Sequence, residues 1–150
     1  MRKMLMLVIV LFAWPLAASA VDGLVVQKSP YSVSESLDRM TALLEKKGIK
    51  VMARVPHSQA AAGVGIEMRP TELLIFGNPK LGSPLMQSQP TTAIDLPMKL
   101  IAWQDADGQV WIAYNDPAWI AKLHGITDRD AVIAKMSGAL KGLSAKVVAP

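Results

Sequence analysis

Val33, Leu37, Met40, Leu43 and Leu44 recur at steps of three and four. Ile49, Val51, Ala53 and Val55 then recur at steps of two, so the chain changes from a helical to a strand period at Gly48. Both ends of the helix can be read. Ser32 stands three residues before Glu35, the spacing at which the hydroxyl serves a first-turn amide and the carboxylate returns to the Ser32 amide. Lys46 and Lys47 suit the last turn, where unpaired carbonyls attract cations, and Gly48 supplies the left-handed residue that stops it. Pro56 ends the strand that follows.

The same reasoning places the other elements. Residues 23–29, short and valine-rich, read as a first strand, and residues 57–66 as a short helix or compact turn. The dense run at residues 71–78 reads as a strand in a central position with both faces covered, because it does not alternate. Residues 98–104 and 109–115 read as a hairpin around Asp105-Ala106-Asp107-Gly108, with glycine at the position that needs a positive φ. Leu100, Ala102, Val110, Ile112 and Tyr114 then line one face while Trp103 and Trp111 project to the other, as core or interface. Asn115 or Asp116 can cap a short helix that carries Pro117 in its first turn and ends at Gly125. Thr127 is expected to cap a longer helix whose buried stripe is Val132, Ile133, Met136, Leu140 and Leu143. This order predicts an α+β domain, with helices on one face of a mainly antiparallel sheet.

Residues 77–97 stand apart. With prolines at 79, 84, 90 and 97 and Gly82, they show neither period, so the expectation is a long irregular loop, ordered by Leu81, Leu85, Met86, Ile94 and Leu96 and forming the wall of a pocket.

Composition narrows what such a pocket can do. Arg2 and Lys3, an apolar run too short to span a bilayer, and Ala18-Ser19-Ala20 predict a secretory signal over residues 1–20, leaving one exported, periplasmic domain over 21–150 with no stable membrane anchor. Without the signal the net charge falls from +4 to +2, and the chain has no block of five or six like charges, which argues against a nucleic-acid binder. The absence of cysteine excludes disulfides, thiolate catalysis and iron-sulfur clusters within the chain.

Chemistry is sparsely encoded. His57 and His124 lie in different segments and have no zinc-ligand spacing, and Ser83, followed by Pro84, lacks the context of a nucleophile elbow. Glu67, Glu72, Asp95 and Asp116 flank strands and loop as potential general acids, although Asp116 is equally explained as a helix cap. Met52, Met68, Met86, Met98 and Met136 raise a monovalent copper site. They are dispersed in sequence, however, and methionine is an ordinary filler of core gaps, so no metal and no cofactor are expected.

At residues 69–86, RPTELLIFGNPKLGSPLM, and at residues 94–126, which contain Y-N-D-P, the sequence closely resembles the bacterial domain-of-unknown-function family numbered 302, from about Gly23 to Leu143. The positions that match are Arg69, Pro70, Thr71, Phe76, Gly77, Asn78, Pro79, Gly82, Pro84, Leu85, Met86, Asp95, Leu96, Pro97, Lys99, Tyr114, Asn115, Asp116, Pro117 and His124. Where family members often carry an acid before a histidine, this chain has Pro56 before His57. The resemblance implies a β-α-β(4)-α two-layer sandwich, similar to the TATA-binding-protein-like class and able to pair as a homodimer. It implies no activity.

These readings converge on a binding module for a small ligand or a periplasmic protein partner. Its expected contacts are Asn78, Lys80, Ser83, Met86, Asp95, Lys99, Tyr114, Asn115 and Asp116. Two alternatives stand beside it: an acid/base enzyme using His57 or His124 with Glu67, Asp95 or Asp116, and a dimerising structural protein with Trp103 and Trp111 in its interface.

Overall fold

The computed structural model describes residues 21–150; the segment read as a secretory signal, residues 1–20, lies outside them. Five strands, β1 (Leu24–Ser29), β2 (Lys50–Val55), β3 (Thr71–Gly77), β4 (Met98–Gln104) and β5 (Val110–Asn115), form one sheet in the order β1-β5-β4-β3-β2. All four neighbouring pairs are antiparallel, as the α+β expectation requires. The helices are α1 (Val33–Lys46), α2 (His57–Ala62), α3 (Pro79–Ser88), α4 (Pro117–Leu123) and α5 (Asp130–Val148). A 3-10 turn, Pro90–Ile94, follows α3.

The linkage of β1 to β2 sets the geometry of the helical layer. These strands are the two edges of the sheet, so α1 has to carry the chain across its full width. Its 14 residues span about 21 Å at ~1.5 Å each. Four interstrand steps amount to about 19 Å. One helix of this length bridges the sheet without a long loop, and it buries Leu37, Met40 and Leu44 completely on the way. Its N-terminus is capped by Ser32, whose Oγ accepts from the Glu35 amide at 3.2 Å, while the expected return bond from the Glu35 carboxylate to the Ser32 amide does not form. Gly48, at φ +65°, turns the chain into β2.

α5 packs beside α1 and closes the core with Met136, Leu140, Leu143 and Val147. Arg39 of α1 caps its far end, donating through Nε to the Val147 carbonyl at 2.8 Å and through Nη2 to that of Ala149 at 2.7 Å. A cation there satisfies carbonyls that the helix cannot pair itself. A second tie fixes edge strand β2: Arg54 bonds Asp38 of α1 at 2.5 Å and Glu72 of β3 at 2.6 Å. Cross-strand register puts Trp103 opposite Trp111 on the sheet face away from α1 and α5, with the rings stacked at 6.5 Å.

Three sequence expectations are corrected. β3 is second from an edge, and only Leu74 and Phe76 are buried, while Leu73 and Ile75 are half-buried on the other face. Thr127 does not cap α5. That helix begins at Asp130, because Ser88 bonds Asp128 at 2.5 Å and Arg129 donates to the Pro84 carbonyl at 3.2 Å, holding residues 128–129 against α3. The largest correction concerns residues 77–97, which form α3 and the 3-10 turn rather than an irregular loop. Asn78 Oδ1 accepts from the Lys80 amide at 3.0 Å, and Pro79 occupies the first helical position, where its missing N–H costs nothing. Pro84 removes one internal bond. Burial of Leu85 at 0 % exposure, one helical turn beyond half-buried Leu81, holds the helix despite it.

Candidate functional site

Between α3 and α5, over the ends of β3 and β4, lies a cavity of about 330 Å³. Its walls come from five directions. Ile49, just before β2, and Met52 within it form one side, Phe76 to Asn78 enter from the end of β3, Pro79, Leu81, Gly82, Ser83 and Met86 from α3, and Met136, Ala139, Leu140 and Leu143 from α5. Ala93, Leu96, Pro97 and Met98 form the remaining side. Small residues make the space. A Cβ on Gly77 would stand 3.2 Å from Pro97 Cβ and 3.6 Å from Met52 Cε, and one on Gly82 would stand 3.5 Å from Leu96 Cδ1. Glycine at 77 therefore lets the strand end close on Pro97, and glycine at 82 leaves room where the helix faces Leu96.

The lining has two distinguishing features. No charged side chain belongs to it, and its only polar side chains are Asn78 and Ser83. Four methionines, Met52, Met86, Met98 and Met136, reach it from four different elements. Their dispersal in sequence hides a convergence in space.

A second, smaller cavity of about 160 Å³ is lined by Ile94, Asp95, Met98, Lys99, Asn115 and Ile120. Met98 lines both. Lys99 Nζ donates to the carbonyls of Asp95 and Pro97 at 3.0 and 3.1 Å, so the ammonium is engaged by the backbone. Beside it, Asp95 Oδ2 lies 2.6 Å from His124 Nε2, and His124 Nδ1 lies 3.0 Å from Thr91 Oγ1. A carboxylate, an imidazole and a hydroxyl are thus joined in one chain, with His124 largely shielded at 10 % side-chain exposure.

The sequence-derived residues separate into groups. Asn78, Ser83 and Met86 line the large cavity, and Asp95, Lys99 and Asn115 line the small one. Lys80 is exposed and contributes its backbone amide to the Asn78 cap. Tyr114 lies in the core, where burial, and then the charge of Asp116, raise its hydroxyl pKa. Asp116 Oδ1 accepts from the Ala118 amide at 2.9 Å and from Ser137 Oγ at 2.6 Å, which is a cap fastened to α5. His57 and Glu67 are both exposed, at the start of α2 and in the following loop. The structure therefore brings His124 and Asp95 together and leaves His57 apart from both cavities. Sequence reasoning grouped Met52 and Met136 only as candidates for a copper site and set them aside as dispersed, and it missed Ala139 and Leu140 as cavity wall, because each fits its own element as surface or core. Among the described residues there is no group of three His, Cys, Asp or Glu side chains that could hold a metal ion.

Known proteins are consistent with this architecture. A crystal structure of a DUF302 protein from Bacillus stearothermophilus superposes with a TM-score of 0.76 at 16% identity, over 85% of this chain and 99% of that one. Two proteins named fluoride-specific ion channel FluC 1, from Brucella suis biovar 1 (strain 1330) and Brucella abortus biovar 1 (strain 9-941), are each 42% identical over 132 residues and cover 86% of this chain. The match takes in 52% and 49% of those proteins, so the chain spans about half the length of the curated relatives it matches. Residues 25–143 match the family described as domain of unknown function DUF302, and the chain belongs to that family.

Proposed function

We propose that this protein is an exported binding module that takes an uncharged small molecule between α3 and α5. The observation that carries the reading is the 330 Å³ cavity with no charged side chain in its lining. Ligand sites are mostly apolar concavities of about 300–1,000 Å³ with a few placed polar groups, which Asn78 and Ser83 supply here. Burying a charge against such a wall without a partner is prohibitive, so the occupant is neutral. The conduction that names the Brucella proteins is not extended to this chain, since the match takes in only half of each.

Native mass spectrometry of the protein purified from its own host tests the reading. A retained small molecule is expected, and Ala139→Phe, which fills the cavity from an exposed position on α5, is expected to lose it while keeping the fold. Bare chains in both samples, together with no stabilisation by any neutral apolar compound, would sink the proposal.

A second reading is favoured by one contact, the Thr91–His124–Asp95 chain beside the smaller cavity. A carboxylate that orients an imidazole toward a hydroxyl is an arrangement suited to proton transfer. Turnover of an ester or amide panel that disappears in both His124→Gln and Asp95→Asn would support it, and no turnover by the parent protein would dismiss it.

A further inference from the structure

Resting on the cavity reading above, we infer that the ligand is a two-ring aromatic molecule, uncharged, with one hydrogen-bond acceptor on its edge. Three independent properties of the lining lead there. The first is size. An apolar cavity of roughly 150 Å³ accepts one benzene, and the space here is about 330 Å³. It therefore matches two rings better than one, and is small for a long acyl chain.

The second is the sulfur. Six methionines lie among residues 21–150, and four of them border this one space. Thioethers are polarizable and make favourable contacts with aromatic rings, particularly at the ring edge, that a branched aliphatic side chain of similar volume does not. Phe76 adds an aromatic wall from β3. A saturated chain would gain the burial but not these contacts. Methionine is also flexible enough to close around a rigid flat body.

The third is the polar edge. Asn78 Oδ1 is committed to the Lys80 amide, which leaves the Nδ2 donors, and the exposed Ser83 contributes a hydroxyl. Donors without an accompanying charge select an acceptor such as a carbonyl, and they select against a carboxylate, whose charge nothing in the lining would balance.

Binding of three probes by isothermal titration separates these statements: 2-acetylnaphthalene, the aliphatic ketone 2-decanone, and 2-naphthoate. The protein is expected to bind 2-acetylnaphthalene at least tenfold more tightly than either of the others. In a Met86→Leu, Met136→Leu double variant, which keeps apolar volume, the preference for 2-acetylnaphthalene over 2-decanone is expected to fall about threefold or more. Circular dichroism and the melting temperature check that the variant is folded. Equal affinity for the ketone without rings, an unchanged preference in the folded double variant, or tight binding of 2-naphthoate would each overturn the aromatic inference while leaving the cavity reading in place. Failure of all three probes to bind, with Ala139→Phe behaving like the parent protein, would overturn both.

Discussion

Thr92 offers a direct test of how the turn beside the cavity is held. It is 0 % exposed, and its Oγ1 has no hydrogen-bond partner. Its carbonyl, in contrast, accepts from the Asp95 and Leu96 amides, both at 3.1 Å, so its backbone does structural work that its hydroxyl does not share. Thr92→Val keeps the β-branched shape and replaces the stranded hydroxyl with a methyl group. A buried polar group left unpaired costs about 1–3 kcal/mol, so the substitution is expected to stabilise the protein by that amount. With ~2.1 cal/mol/K of unfolding entropy per residue over about 130 residues, the gain corresponds to a rise of roughly 4–11 °C in melting temperature. Calorimetry measures the shift, and urea unfolding should give a higher midpoint at an unchanged slope. Thr92→Ser, which keeps the hydroxyl and loses the methyl, should be destabilised by comparison. A fall of several degrees in Thr92→Val would refute the reasoning, because it would mean that the hydroxyl is bonded to a bound water and contributes to stability.

Three further outcomes follow from other parts of the molecule. Gly138 and Gly142 lie in α5 with nothing within 4 Å of an added Cβ, so each change to Ala should stabilise by about 0.4–1 kcal/mol, and the pair should add when melted together. Leu85→Ala removes the fully buried anchor of α3 and should cost about 2–5 kcal/mol by urea unfolding, with loss of the cavity wall. The hydrogen bond that Trp111 Nε1 donates to Asp105 at 2.7 Å is the main cause holding the Asp105 carboxyl below its ordinary value of 3.8. Its contribution is therefore fully present above that value and is lost as pH falls below it through the folded pKa. Melting temperature followed from pH 6 to pH 2 should decline less in Asp105→Asn than in the parent protein, and parallel curves would contradict this assignment.

What the sequence discloses depends on whether a signal is local. Ser32 and Glu35, Lys47 and Gly48, and Asp105 with Gly108 act within four residues of one another, and α1 and the β4–β5 hairpin appear where these residues place them. Asn78-Pro79 and Asp116-Pro117 carry the same cap-and-first-turn signal, and both start helices. The first is obscured because Gly82 and Pro84 follow it, and the burial that outweighs them, on Leu85, depends on the rest of the fold. The start of α5 is likewise set by Ser88 and Pro84, some forty residues away. For the cavities, the sequence points to the 77–97 side of the wall but not to what faces it. Met52, Met86, Met98 and Met136 become neighbours only once β2, α3, β4 and α5 are assembled, as do His124 and Asp95, 29 residues apart.

The strand order carries a consequence for assembly. β2, β3, β4 and β5 are neighbours in sequence as well as in the sheet, so each pairing in that run closes a comparatively short stretch of chain. β1 is different: Leu24 pairs with Asn115, across α1 and all four other strands in sequence. Loop closure costs entropy that grows with the logarithm of length, and contacts of high sequence separation slow folding. The four-strand meander is therefore expected to form first, with β1 docking on β5 as the late step. In hydrogen-exchange terms, the amides of β1 should open below the global unfolding free energy while those of β4 exchange only with it. Among the described strands, the one that comes first in sequence would be the last to find its place.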